Sequence, residues 1–463
     1  MDATEQKEKR ALNGTVSTHG RPGPGVIAGV LLLCLIAGLS LVWPVYRSSL
    51  NIKINENEGW NAYFADAAMG RMPLYPSPDK LITNNYPPLS FYVAGAAGKL
   101  IGDNILAGRL ISLAAVLALA FLIARIIQEL GGDCVAGLVG GAFFIATICF
   151  FFNKYVGMNE PQLPAHAIMA FGFLLFLRAA RRDRGYALPI LIMVTAGFFK
   201  HNIISLPLSA FVWLGVQRRW KPLARCLVVS LFLMVLGFAA CHAAYGRDYF
   251  FNFLAPRGYS FEQEKDALVE LQCVAVVLAV WLFAGFAGRS DRAVQLLNIL
   301  ILTGLAVHFL QRTGAGVDIN SQLDLVIATS IAAGFLFSRA GWLLPVRRMP
   351  AGVLQAGLVL AICLRLIVCE NSRDVLNVAS AGFRREIARR EKIVEKTTAL
   401  VRAVPGDVLC DPYVCYRAGK PFVVDEFNLD ERISMGKMPE DAVTKRLDNH
   451  TLTKVEADPD IEW

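Results

Sequence analysis

The feature that most constrains this chain is a series of long apolar runs separated by short polar links. The runs cover approximately residues 24–46, 107–127, 134–152, 164–180, 187–199, 203–216, 222–242, 269–288, 295–310, 323–338 and 350–369. Roughly 20 apolar residues in helical form cross about 30 Å of hydrocarbon, and lipid offers unpaired backbone groups no partner. The pattern therefore predicts an all-α polytopic membrane bundle of about eleven transmembrane helices. Composition agrees: 55% of the residues are hydrophobic and only 18% are charged, against roughly 25% charged in an average soluble domain.

The formal charge of +8 could suggest a nucleic-acid partner, but the positions of the basic residues argue otherwise. Assigning the links alternately to two sides gathers Arg125, Arg178, Arg181, Arg182, Arg184, Arg218, Arg219, Lys221 and Arg225 on one side. Arg289, Arg292, Arg339, Arg347 and Arg348 follow there, with Lys7, Lys9, Arg10 and Arg21 of the N-terminal tail. Cytoplasmic loops carry such an excess, so the charge reports topology and excludes nucleic acid. The expected organisation is a cytoplasmic tail over 1–23, a membrane domain over 24–369 and an extracytoplasmic soluble domain over 370–463. The first run ends in Val42, Trp43, Pro44, Val45 and Tyr46 with no small-residue cleavage site, which reads as an uncleaved anchor. Compact loops without sorting motifs suit the inner membrane of a bacterial cell.

Function is expected on the outer side, where the segments are long or rich in polar and aromatic residues. The outer loop 47–106 contains INENEGWNAYFADAAMG and NNYPPLSFY. If 59–69 is helical, Glu58 opens the helix and Trp60, Tyr63 and Phe64 share one side of it. Aromatic rings pack on sugar faces while a carboxylate accepts a proton, which suits a general base facing a sugar or lipid-linked hydroxyl. The plainer alternative is that Glu56 and Glu58 only favour the helix N-terminus through its dipole. In the next outer link, Asn159, Glu160, Gln162 and His166 stand at the mouth of a span, where a carboxylate needs a cavity or a partner. An ordinary solvated loop acid before Pro161 is the alternative, and His166 reads as a capping or packing residue. Lys200 and His201 interrupt an apolar stretch at its outer turn, where a lysine calls for an anion such as a polyprenyl phosphate or snorkels to the interface. Arg257 and Arg312 are further outer cations able to clamp a phosphate, Arg312 reading better as a surface charge.

Taken in order, Asn57-Glu58, Pro87-Pro88-Leu89, Asn159-Glu160-Pro161 and Lys200 resemble the GT-C superfamily of membrane glycosyltransferases. The similarity runs over about residues 25 to 340, in the branch related to protein O-mannosyltransferases, aminoarabinose transferases and rhizobial galacturonosyltransferases. It implies an inverting transfer of sugar from a polyprenyl-phosphate donor to an acceptor hydroxyl of an envelope lipid, polysaccharide or protein. In it Glu58 and Glu160 are the catalytic candidates and Lys200 meets the donor phosphate. Asn57, Trp60, Tyr63, Asn85, Tyr86, Asn159, His201 and Arg257 are the substrate-binding candidates. The family pattern has an Asp-Glu pair where this chain has Asn57-Glu58, so Glu58, Glu160 or Asp66 would have to accept the proton. No metal-binding motif is legible and no cofactor is named, although a divalent cation stays open. A flippase or carrier for a lipid-linked substrate and a non-catalytic protein of the same fold are the rival readings, the latter supported by Asn57.

The soluble segment is expected to form a small α/β domain: a charged helix over 374–402, then short strands at 408–409, 414–416 and 422–424 between Pro and Gly breakers. Of ten cysteines, eight lie in or beside apolar runs, as small hydrophobes do. Cys410 and Cys415 could pair in an oxidising compartment, but the four-residue gap is geometrically demanding in a strand-turn, and free thiols stay open.

Overall fold

A computed structural model describes residues 23–262, 264–343 and 349–456. All but the last residue of the expected tail 1–23, Arg347 and Arg348, and the end of the soluble segment lie outside them.

Every one of the apolar runs forms helix, but not every one forms a single helix long enough to cross. Among the described residues, seven helices are long and apolar enough to span: Pro24–Ser48, Asn104–Glu129, Cys134–Phe151, Gln162–Arg182, Trp220–Tyr245, Arg292–Arg312 and Ile319–Trp342. The number rises to nine if two bent pairs each count as one span, Glu264–Cys273 with Ala275–Ala287 at 84° and Ala351–Ile367 with Asn371–Ala379 at 88°. Among the described residues, seven to nine helices meet this measure, against the expected eleven. Ala187–Gly197 and Ser205–Val216 have 11 and 12 residues, which at 1.5 Å per residue reach only about 17 Å each. Apolar content predicts burial but not where the backbone leaves the helical path, and here it leaves at the turn carrying Lys200 and His201.

Capping sharpens the span ends. Asp103 accepts from the Ile105 and Leu106 N–H groups at the start of Asn104–Glu129, and Asp133 accepts from Ala136 at the start of Cys134–Phe151. Leu33, Val116, Ile123, Phe144, Phe173 and Leu336 are fully buried between the helices. Leu231, Phe232, Val235, Leu282 and Phe283 point outward, as lipid-facing side chains should.

The bundle has two unlike polar ends. At one, Arg178 and Arg181 pair with Glu129 at 3.4 and 3.0 Å, and Arg219 pairs with Asp183. At the other, the long loops are stitched together: Arg47 donates to the Asn153 and Val156 carbonyls, the Asn84 N–H to Asn252, and Asn202 to Gln311. Arg178, Arg181 and Arg219, three of the basic residues expected on one side, thus share one end.

The C-terminal segment packs on that second end. Helix Ala381–Ala403 is followed by Val408–Leu409, which pairs in parallel with Thr453–Lys454. The strand expected at 414–416 is instead the helix Pro412–Arg417, because Asp411 caps the Tyr413 and Val414 N–H groups and Pro412 presets the first turn. Residues 422–424 have no regular structure. The expected α/β domain is therefore mostly helical, with one two-residue ladder. Cys410 and Cys415 are disulfide-bonded with Cα atoms 5.9 Å apart. In an extended strand the same separation would place them about 16 Å apart, so the helical turn is what permits the bond.

Candidate active site

Two buried ion pairs organise the outer end. The first belongs to Glu58, in the first turn of helix Asn57–Ala68 and fully buried. Arg109 grips it with both arms of its guanidinium, Nε to Oε1 and Nη2 to Oε2, each at 2.7 Å. Each oxygen accepts one further bond, from the Ile54 N–H at 2.9 Å and the Asn159 N–H at 3.1 Å. Arg109 spreads its remaining donors over the Leu50 and Ile52 carbonyls. The residue expected to face an acceptor faces Arg109 instead, its two oxygens occupied by four donors.

Asn159 links this pair to the second. Its side chain donates to the Glu58 carbonyl, and its own carbonyl accepts from Asn61. Gly108 makes room for it, since a Cβ there would sit 1.7 Å from the Asn159 side-chain oxygen. The neighbouring Glu160 is 6% exposed and accepts the Lys200 ammonium at 2.7 Å and the Gln162 N–H at 2.5 Å. Lys200 also stands 3.4 Å from the centre of the Tyr86 ring, whose π face favours a cation. The PPL segment and the lysine turn meet directly, because the Leu89 N–H donates to the Phe198 carbonyl.

His201 lies edge-on to Tyr86 and Phe253, at 6.5 and 5.1 Å between centroids. Arg257 faces the Phe427 ring at 5.5 Å. Asn85 reaches Asn428 at 3.4 Å. The structure thus gathers Tyr86, Glu160, Lys200 and His201 into one cationic, aromatic cluster, with Arg257 on a neighbouring wall against Phe427 and Gly314. Lys200 is itself buried, with Glu160 on one side and the Tyr86 ring on the other.

Other expected residues serve different contacts. Trp60 packs against Phe64, Tyr86 and Phe91 and donates its indole N–H to Asp425 at 3.0 Å. Tyr63 stacks on Phe422 and donates to the Lys420 carbonyl. It lines, with Asp66 and Arg71, a cleft of about 1140 Å³ between the first loop and the C-terminal segment that none of Glu58, Glu160 or Lys200 enters. Asn57 is exposed. His166 is buried, with Nδ1 at 3.0 Å from the Gln162 carbonyl, one turn back, in keeping with a packing role. Arg312 is no surface charge: it is buried and paired with Glu270 at 2.8 Å, because the chain folds back over it at residues 313–318. Among the described residues, no group of three or more His, Cys, Asp or Glu could hold a metal ion.

Arg109 and Asp318 are the residues that sequence reasoning missed. Arg109 stands inside an apolar run, where an ionisable side chain is costly without a partner, and that alone could have singled it out. Asp318, which accepts from the Tyr155 hydroxyl at 3.1 Å, carries no such signal.

Comparison with known proteins bears on this arrangement. Residues 85–245 match the family of dolichyl-phosphate-mannose-protein mannosyltransferases, a stretch that includes Tyr86, Arg109, Glu160 and Lys200. No curated protein sequence matches the chain. Among solved structures, ArnT from Cupriavidus metallidurans in the apo state is 12% identical, with 92% of each chain covered and a TM-score of 0.62. The same protein bound to undecaprenyl phosphate is 14% identical over 89% of this chain and 90% of that one, with a TM-score of 0.59. The oligosaccharyltransferase AglB from Archaeoglobus fulgidus, in complex with an inhibitory peptide and a dolichol-phosphate, is 10% identical over 87% of this chain and 65% of that one, at 0.54. These identities speak for fold. The chain is a multi-pass membrane protein that shares its fold with ArnT and AglB.

Proposed function

We propose that this protein is a membrane glycosyltransferase that moves a sugar from a polyprenyl-phosphate donor to a hydroxyl of an acceptor glycan, lipid or protein, with inversion. The observation that carries the reading is Lys200, held by Glu160 against Tyr86 beside His201 and Arg257. A phosphate leaving group gains charge as its bond to sugar breaks, and fixed cations at that position favour the transition state over the ground state. The lipid phosphates bound by ArnT and AglB support the same donor class. Glu58 in this reading positions the first outer loop against Asn159, through Arg109, and Glu160 orients Lys200.

The reaction face is the extracytoplasmic one. The Cys410–Cys415 disulfide lies at the same end as the cluster, and disulfides persist in oxidising compartments. The arginine-rich end then faces the cytoplasm with the N-terminal tail, as expected for a bacterial inner-membrane protein. Protein reconstituted in liposomes with polyprenyl-phosphate-linked sugars should consume the donor, and Lys200→Ala should abolish consumption; full turnover by that variant overturns the site. Mass spectrometry of cell-envelope glycans and lipids with and without the gene would identify the acceptor. A non-catalytic donor-binding protein is the second reading, favoured by the amide at Asn57, and it requires donor bound but never consumed.

A further inference from the structure

A transfer of this kind needs a group to take the acceptor's hydroxyl proton, and the outer end holds fewer free carboxylates than its sequence suggests. Glu58 is saturated by Arg109 and two backbone N–H groups. Glu160 holds Lys200 and the Gln162 N–H. Asp66 lies between Asn104 and Arg71, on the separate cleft. Asp411 is bound by Lys53, Asp425 by Trp60 and Asn428, Glu270 by Arg312, and Glu431 by the Gly258 N–H. Glu56 is exposed at the start of its helix, and Asn57 beside it is an amide.

Asp318 differs from all of these. It is exposed, and its carboxylate accepts from a neutral phenol, Tyr155, at 3.1 Å. The loop that carries it is where the walls of the cationic cluster meet. At its start, Gln311 exchanges two hydrogen bonds with Asn202, the residue after His201. Gly314 lies against the aliphatic stem of Arg257 and bridges to Tyr259. Gly316 adopts φ +68°, and a Cβ there would come within 2.4 Å of Phe427, the ring that Arg257 faces. Tyr155 belongs to the outer link that also carries Glu160, so its hydroxyl bond to Asp318 ties that link to this loop. One short loop therefore joins the Arg257 wall to the Glu160 wall, with a carboxylate at the junction.

We propose that Asp318 is the catalytic base of the transfer and that Tyr155 is the residue positioning its carboxylate, an inference that rests on the glycosyltransferase reading above. In the step, the acceptor oxygen bonds to the anomeric carbon. The bond from that carbon to the phosphate oxygen breaks, and its electron pair leaves on the polyprenyl phosphate beside Lys200 and Arg257. The acceptor's hydroxyl proton passes to Asp318. Tyr155 donates to one carboxylate oxygen and limits its rotation, which leaves the other oxygen free to accept the proton.

The test measures donor binding and sugar transfer separately, with reconstituted full-length protein and polyprenyl-phosphate-linked sugars extracted from bacterial membranes. Asp318→Asn should bind the donor as the wild type does, which also reports folding, and transfer about 10²–10⁴-fold more slowly. Asp318→Glu should recover part of that rate, and Glu56→Gln should keep all of it. Tyr155→Phe should lower kcat about tenfold at unchanged donor KM and move the acidic limb of the pH profile. Transfer by Asp318→Asn within threefold of wild type, or a loss confined to Glu56→Gln, overturns the proposal while leaving the glycosyltransferase reading in place. Absence of any transfer by the wild type removes both.

Discussion

Two of the buried ion pairs of the outer end meet at adjacent residues of the second outer link, Asn159 and Glu160, yet they are built for different tasks. Glu58–Arg109 is closed: four donors fill the carboxylate, and the guanidinium forks onto it while bracing two loop carbonyls. Glu160–Lys200 is more open: the carboxylate takes one ammonium and one backbone N–H, the Tyr86 ring lies 3.4 Å from that ammonium, and His201 packs edge-on to the same ring. A closed pair fixes geometry, whereas an open pair can take up a third charge. The difference also governs what happens when a partner is removed. An orphaned Arg109 cannot shed its proton, but an orphaned Glu160 can take one up and become neutral.

The largest expected effect breaks the closed pair. Glu58→Gln leaves Arg109 charged, buried and unpaired, which should cost about 3–5 kcal/mol of stability, seen as a large fall in melting temperature in detergent. An unchanged melting temperature with abolished transfer would reverse the comparison and make Glu58 the reacting group. Next, Lys200→Met should reduce transfer at least about 100-fold, near 2.7 kcal/mol in the barrier, with a smaller melting shift than Glu58→Gln. Equal melting losses in the two variants would erase the distinction.

The third effect concerns the clamp over the first loop. A Cβ on Gly59 would meet the Pro412 and Tyr413 backbone at 2.3 Å, so Gly59→Ala should cost about 1–3 kcal/mol. Hydrogen exchange should show 412–417 loosened and the Glu160 link unaffected. The smallest effect is a pH dependence. Burial pushes the Asp425 carboxyl up, although Asn428 and Trp60 both donate to its charged form. With the folded value raised, its contribution is fully present below the ordinary carboxylate range and is lost as pH rises through the raised value. Exchange in helix Glu426–Ser434 should therefore be slower near pH 4 than near pH 7, after correction for intrinsic rates, and Asp425→Asn should flatten that difference.

Much of the scaffold was legible because it depends on solvent alone. Apolar runs must be helical in lipid, so the runs, their order and the grouping of arginines at one end could be read directly. Lys200 and Glu160 announced a need for partners, being ionisable residues at the edge of apolar stretches. What could not be read was which partner each would find. The short helices at Ala187–Gly197 and Ser205–Val216 look apolar enough to span and stop too soon. Arg312 looked like a surface charge and is buried because residues 313–318 fold back over it. The aromatic faces of Trp60 and Tyr63 suit a sugar by residue type, and Phe91 and Phe422 already pack on them.

The sequence by itself determined that this chain is built for a membrane and where polar groups would be forced to cluster, because both follow from the cost of placing charge and backbone in hydrocarbon. Only the tertiary structure decided that Glu58 belongs to Arg109 while Lys200 belongs to Glu160 and Tyr86. Pairing at a few ångströms depends on loops folding over one another, and the residues that meet there, such as Tyr155 and Asp318, are far apart along the chain and carry no local sign of each other.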